Sequence, residues 1–363
     1  MNNPALKGPE NYYFWKMITN YSLKRNITIG LGAFFLLVSC SNKEKILDAL
    51  VNFNNSKEAE GYHFGDQLKL PKEVTENAEQ VAISFGDHES SRLTIDPKFF
   101  TLGDNEVTFI IKTKNGETLN QDATINVFAK TPEQNITYQI IKDYPHDPEN
   151  FVEGFLIEGN TVYESDGLEG ASQLIKYTLG AAVPTLVTRQ PAHIFSEGCA
   201  VVGDKIFQLT YRNRKIFVYD KNTFRRLSEF RMPKAMKEGW GLTYDGENLI
   251  ATDGSKNLFY LDVNDPSEVV KTVSVAGNTT VYDKLNELEY HDGFIYANVW
   301  HQPFILKINP ATGEVAGKLD FTKITEENVQ EDSEHVLNGI AFKGNNMLVT
   351  GKNWPKIYEV SVQ

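Results

Sequence analysis

A short core recurs five times between residue 150 and the end of the chain, and it limits the fold more than any other feature. The copies begin at Glu153, Glu197, Trp240, Glu287 and Asn338. The position after each lead residue is 154, 198, 241, 288 and 339, giving spacings of 44, 43, 47 and 51. Five residues further on, each copy has a glycine: Gly159, Gly203, Gly246, Gly293 and Gly344. A tight hairpin needs positive φ at such a point, which glycine adopts with no Cβ penalty. Each hairpin runs into a further apolar stretch, as at residues 216–219 and 304–307, and most units then turn toward a fourth strand. Four-stranded units at a period of about 45 residues are propeller blades. The fold class expected is all-β, with a five-bladed β-propeller over residues 135–363. The fifth copy ends at Gln363 without an outer strand, so residues 137–142 are expected to supply it and close the ring.

Ahead of the repeats, residues 82–85, 106–111 and 123–128 have strand composition, and Asn115-Gly116 signals a hairpin. A small immunoglobulin-like β-sandwich is expected over residues 61–131. Residues 41–60 are polar and read as a linker. In residues 1–40, Lys24 and Arg25 precede an apolar run from Ile27 to Val38. About twelve residues is short for a spanning helix, which needs about 20, but suits an export signal. The run ends Leu37-Val38-Ser39-Cys40, which resembles the bacterial lipobox. The expectation is lipidation at Cys40 and an exported, membrane-anchored lipoprotein facing the periplasm or cell surface. The stretch before Lys24 is long for a signal, leaving Met17 as a second candidate start.

The 363 residues carry 36 basic and 48 acidic side chains, a formal charge of −12. Nucleic acid is therefore not an expected partner, because a phosphate backbone is bound by basic surface. Cys40 and Cys199 are the two cysteines, too few for a disulfide framework or a Cys-zinc site. Cys199, inside a strand, is expected to be a buried inert thiol. The seven histidines form no H-x-x-x-H or H-E-x-x-H, and no G-x-S-x-G or Walker loop occurs. His146 and His301 are expected at polar surface near strand ends.

The innermost strand of each blade lines a propeller's channel, so the five lead residues should form a ring at one mouth. Carboxylates gathered in a partly dry channel lose hydration and repel one another, which raises the pKa of at least one.

Seven blocks in the repeat region resemble the bacterial and plant type of glutaminyl-peptide cyclotransferase. They are H-D-P-x-x-F-x-E-G from His146, Y-E-S-x-G-L-x-G from Tyr163, E-G-W-G-L-T-Y-D-G from Glu238, L-N-E-L-E-Y from Leu285, Y-A-N-V-W from Tyr296, V-L-N-G-I-A from Val336 and G-K-x-W-P from Gly351. The resemblance covers about residues 138–363. It implies a five-bladed propeller that cyclises N-terminal glutamine to pyroglutamate with loss of ammonia, without a cofactor or metal. Carried over by motif, Glu197 falls on the family's essential acid, and Phe151, Glu153, Trp240, Asn286, Trp300 and Lys352 fall on pocket positions. Tyr211 stands where the family often has tryptophan, and some members have glutamine at the position of Glu153. The implied partners are peptides or proteins with N-terminal glutamine, acted on by a monomer held to the membrane through its lipid. Two other readings stay open from the residues alone. One is a non-catalytic peptide- or glycan-binding surface propeller. The other is a metal-dependent propeller hydrolase or lactonase using Glu153, Glu287 and Asn338.

Overall fold

A computed structural model of the chain describes residues 42–58, 60–86, 88–181, 183–328 and 334–363. The export signal, the lipobox and Cys40 lie outside the described residues.

The described chain begins with helix α1 (Asn42–Glu58), where a linker was expected. Ile46, Leu50 and Phe53 fall at i, i+4 and i+7, one helical face. Ile46 and Leu50 are buried in the core of the first domain, and Phe53 packs against that core. Helix α2 (Lys72–Asn77) follows, then β1 (Ala78–Phe85), β2 (His88–Ser90), β3 (Gly103–Thr113) and β4 (Thr118–Val127). The strands form one antiparallel sheet in the order β2-β1-β3-β4. The expected two-sheet sandwich is thus corrected to a helix-on-sheet domain. Ile46 and Leu50 supply apolar cover of the kind a second sheet would give to Ile83, Phe109, Ile111 and Ile125. Gly116 turns at φ 83° between β3 and β4, as the Asn-Gly pair predicted.

Strands β5 (Gln134–Ile136) and β6 (Tyr138–Pro145) lead into five sheets. The first holds β7 (Val152–Glu158), β8 (Thr161–Asp166), β9 (Gln173–Thr178) and β10 (Leu186–Arg189). The second holds β11 (Ser196–Val202), β12 (Lys205–Thr210), β13 (Lys215–Asp220) and β14 (Arg226–Arg231). The third holds β15 (Leu242–Tyr244), β16 (Asn248–Ala251), β17 (Asn257–Asp262) and β18 (Val269–Ser274). The fourth holds β19 (Leu285–His291), β20 (Phe294–Val299), β21 (Phe304–Ile308) and β22 (Val315–Asp320), with β5 added in parallel at its edge. After the short helix α3 (Thr322–Asn328), β23 (Leu337–Lys343), β24 (Asn346–Gly351) and β25 (Lys356–Val362) make three strands of the fifth. Its fourth strand is β6, paired antiparallel to β25, so the ring closes as expected.

The innermost strands touch in cyclic order β7-β11-β15-β19-β23-β7, which makes the five sheets blades around one axis. All five hairpin glycines have positive φ, between 59° and 100°. The glycine after the lead residue has a different reason. A Cβ on Gly241 would lie 1.9 Å from the Asn286 carbonyl oxygen, and one on Gly198 would lie 2.5 Å from the Leu242 nitrogen. Neighbouring inner strands pass too closely there for any side chain. Second strands such as β12 are buried along almost their whole length between adjacent blades, whereas the outer β14 is largely exposed.

Candidate active site

Four of the five innermost strands break register at the lead position. The shifts fall between Val152 and Gly154, Ser196 and Cys199, Leu285 and Leu288, and Leu337 and Ile340. A bulge re-aims the side chain it carries, and the lead residues consequently do different jobs. Glu153 and Glu197 are 2 % and 5 % exposed and lie close enough to act on each other electrostatically. The Lys352 ammonium lies 2.6 Å from Glu153 Oε1, and the Asn338 amide donates to Glu153 Oε2 at 3.2 Å. Lys352 also sits 4.5 Å from the Phe151 ring centroid. Burial, reinforced by the Glu153 carboxyl and opposed by Lys352, pushes the Glu197 carboxyl well above its ordinary range. Burial raises Glu153 too, with Lys352 pulling against it. The Glu197 carbonyl accepts from the Ser165 hydroxyl, which in turn accepts from Gln208, so the backbone at the acid is fixed from the neighbouring strands.

Glu287 does not join this group, contrary to the expected ring at one mouth. Its carboxylate accepts the backbone N–H groups of Phe155 (3.3 Å) and Ile340 (2.9 Å), two residues beyond Glu153 and Asn338. It lies deeper in the channel and ties the first blade to the fifth. Burial and the nearby Glu289 push Glu287 well above the carboxylate range, and burial raises Glu289 to about 8. Glu153, Glu287 and Asn338 therefore do not converge as metal ligands. Among the described residues no three His, Cys, Asp or Glu side chains are grouped to hold an ion.

An aromatic wall reaches the carboxyl pair at Phe195, which crowds Gly167 together with Glu153. Trp240 and Trp300 meet edge to face at 5.8 Å, and the Lys284 ammonium lies 5.6 Å from the Trp300 ring centroid. Phe151 packs edge-on to Phe195 at 6.2 Å, and Phe195 lies 5.5 Å from Tyr211. Phe195 was not among the predicted site residues. The signal for it was present, because F-x-E-G occurs twice, at Phe151 and at Phe195. Asn286 is 3 % exposed on β19, and its Oδ1 meets no protein donor among the described residues. A cavity of about 550 Å³ adjoins the wall, lined by His301, Gln302, Pro303, His335, Val336 and Leu337. It borders the lysine, since the Lys352 N–H donates to the Val336 carbonyl.

Behind Lys352 lies a feature the sequence reading put at the surface. His146 is buried. Its Nδ1 donates to the Trp354 carbonyl at 2.7 Å and its Nε2 to the Glu164 carboxylate at 3.1 Å. Asn150 and Tyr177 donate to the same carboxylate. The Asn353 side chain donates to the Pro148 carbonyl, and its N–H to that of Asn150. The segment leading to Phe151 and Glu153 is thereby stitched to the turn that carries Lys352. Cys199 is buried, and burial raises its thiol well above the usual range, as expected of an inert cysteine.

The fold and site are those of a closed five-bladed propeller with two buried carboxyls, one ammonium and paired aromatic rings. The sequence profile described as glutamine cyclotransferase matches residues 111–362, and the chain belongs to that family. A glutaminyl-peptide cyclotransferase of Arabidopsis thaliana is 32 % identical over 230 residues, covering 62 % of this chain and 71 % of the relative. The crystal structure of Myxococcus xanthus glutaminyl cyclase superposes with a TM-score of 0.58 at 32 % identity, covering 64 % of this chain and 98 % of that one.

Proposed function

We propose that the chain is a glutaminyl-peptide cyclotransferase, converting N-terminal glutamine of peptides to pyroglutamate and releasing ammonia, with Glu197 as the proton shuttle. The observation that carries this reading is the buried Glu197 carboxyl beside Glu153 and its Lys352 partner. The substrate α-amine attacks the side-chain amide carbon and a five-membered ring closes. The amine nitrogen loses a proton, the carbon–nitrogen bond to the side-chain nitrogen breaks, and that nitrogen leaves as ammonia after gaining a proton. A carboxyl with raised pKa can take the first proton and return the second near neutral pH. Lys352 and the Asn286 amide are the donors available to the oxyanion, and one such donor is worth about 3–4 kcal/mol. Trp240, Trp300 and Phe195 supply a surface on which the short side chain folds back toward its own amine. The cavity beside Trp300 suits the peptide beyond its first residue.

Glu197→Gln keeps size and hydrogen bonding but does not titrate. Ammonia release from Gln-Xaa dipeptides should fall by about 10²–10⁴-fold, with KM nearly unchanged. Trp300→Ala should raise KM and lower kcat together. A folded Glu197→Gln protein within about threefold of wild type would reject the shuttle, and a wild type that binds such peptides without releasing ammonia would favour the binding propeller. The same reading takes the enzyme as a monomer, anchored through lipid on Cys40. Cys40→Ala should move it from the membrane to the soluble fraction, and a variant that stays bound rejects the anchor.

A further inference from the structure

The centre holds two carboxyls where a single shuttle needs one. Glu153 and Glu197 are both buried and act on each other, and their positive partner is Lys352, 2.6 Å from Glu153. Two adjacent carboxylates cannot both stay ionised in a dry site, and one ammonium balances one of them. Charge balance therefore leaves one proton between the pair. The Glu153 oxygens already face Lys352 and Asn338, so the proton rests on Glu197. A carboxyl that already carries a proton is a poor base unless that proton has somewhere to go.

We propose that Glu153 is a second catalytic residue, which takes the proton shared with Glu197 while Glu197 receives the one leaving the substrate amine. The inference rests on the cyclotransferase reading and divides its shuttle between two groups. As the nitrogen–carbon bond of the ring forms, the amine proton passes to the free oxygen of Glu197, and the shared proton moves onto Glu153. As the bond to the side-chain nitrogen breaks, Glu197 gives a proton to the departing nitrogen and recovers the shared one from Glu153. The dyad ends as it began, and the net products are the lactam and ammonia. The other charged groups acting on the pair are Glu334 ahead of β23 and Glu238 ahead of β15. Burial pushes Asp166, at the end of β8, well above the carboxylate range, and the Glu164 and Glu153 charges add to this.

The test is the pH dependence of kcat/KM for Gln-Xaa dipeptides in the wild type and in Glu153→Gln. Removing the neighbouring carboxylate should lower the ionisation that governs activity by about 1–3 pH units, the size of a like-charge effect, and reduce kcat by about 10²-fold. A loss of turnover with the profile unmoved, or an unchanged enzyme, overturns the dyad. A wild type that releases no ammonia overturns the cyclotransferase reading itself, so the two failures are distinguishable. Glu153→Gln leaves Lys352 unpaired, and if it does not fold the dyad is read in the wild type by infrared spectroscopy. The protonated-carboxyl absorption at neutral pH, to which the buried Glu287 and Glu289 also contribute, should lose one component in Glu197→Gln. An absorption that Glu197→Gln leaves unchanged overturns the proposal.

Discussion

At His146 both ring nitrogens face acceptors, the Trp354 carbonyl and the Glu164 carboxylate. Both bonds are made at once only by the imidazolium. Burial works against its charge, but the Glu164 carboxylate outweighs burial and raises His146 above its ordinary value. Burial likewise opposes ionisation of Glu164, and His146 and Tyr177 more than offset it, leaving Glu164 lowered. The signs fix the pH window. The His146 contribution to stability is complete below the unfolded histidine pKa and is lost as pH rises through the raised folded value. The Glu164 contribution is complete above the unfolded carboxylate pKa and is lost as pH falls through the depressed one. His146→Ala leaves a buried carboxylate without its partner and should lower stability by about 3–5 kcal/mol near neutral pH. Urea unfolding of both proteins checks this. The gap should narrow on the alkaline side as wild-type His146 loses its proton, and a gap constant into alkaline pH would mean that the pair is uncharged.

Two glycine sets recur in the blades, and they answer to different physics. The turn glycines serve φ, which a single sequence displays as a regular spacing. The inner-strand glycines serve close approach, which depends on a partner strand more than 40 residues away. Gly246→Ala meets nothing within 4 Å at φ 100° and should lose about 1–2 kcal/mol to backbone strain, with turnover unchanged. Gly241→Ala must displace the Asn286 backbone, and its penalty should reach about 3 kcal/mol, the upper end for overpacking. Because Trp240 and Asn286 flank that contact, turnover should fall as well. Thermal melts and ammonia release on the two variants test the contrast, and equal effects would refute it. The same difference decides what the sequence makes legible. Blade number, hairpin turns and the closing strand are periodic and local, so they can be read directly. The descent of Glu287 into the channel depends on bulges, and the burial of His146 depends on the Lys352 turn, neither of which has a local signature. The helix at Ile46, Leu50 and Phe53 did have one, hidden under a polar composition. Glu153 and Lys352, and the facing Trp240 and Trp300, were assigned to one pocket through the motifs of the resemblance, and the structure brings each of these pairs together.

For the whole molecule the decisive contact is β6 on β25, because it supplies the last blade with its fourth strand from ahead of the first blade. Tyr138 to Pro145 lie opposite Val362 to Lys356, and the Gln363 N–H donates to the Thr137 carbonyl at 2.8 Å. If this strand opened, the fifth blade would lose its outer edge and the apolar contacts of Tyr138 with Phe321. Gln139 and Ser361 are directly opposed in the register. Facing residues of an antiparallel pair lie about 4.5–5.5 Å apart between Cα atoms, within disulfide range. A Gln139→Cys/Ser361→Cys variant should therefore oxidise to a bond that closes a loop containing nearly the whole propeller. A loop of that length restricts the unfolded chain strongly, by about 5 kcal/mol in the chain-entropy estimate. The oxidised protein should melt several degrees above the same protein kept reduced, since about 1 kcal/mol moves the midpoint of a domain of this size by a few degrees at most. Turnover should be the same in both forms, because the closing strand is the outermost of its blade and the carboxyl pair lies at the innermost. Coincident melts of the oxidised and reduced forms would mean that the ring opens elsewhere first, and that β6 is not the seam through which this propeller unfolds.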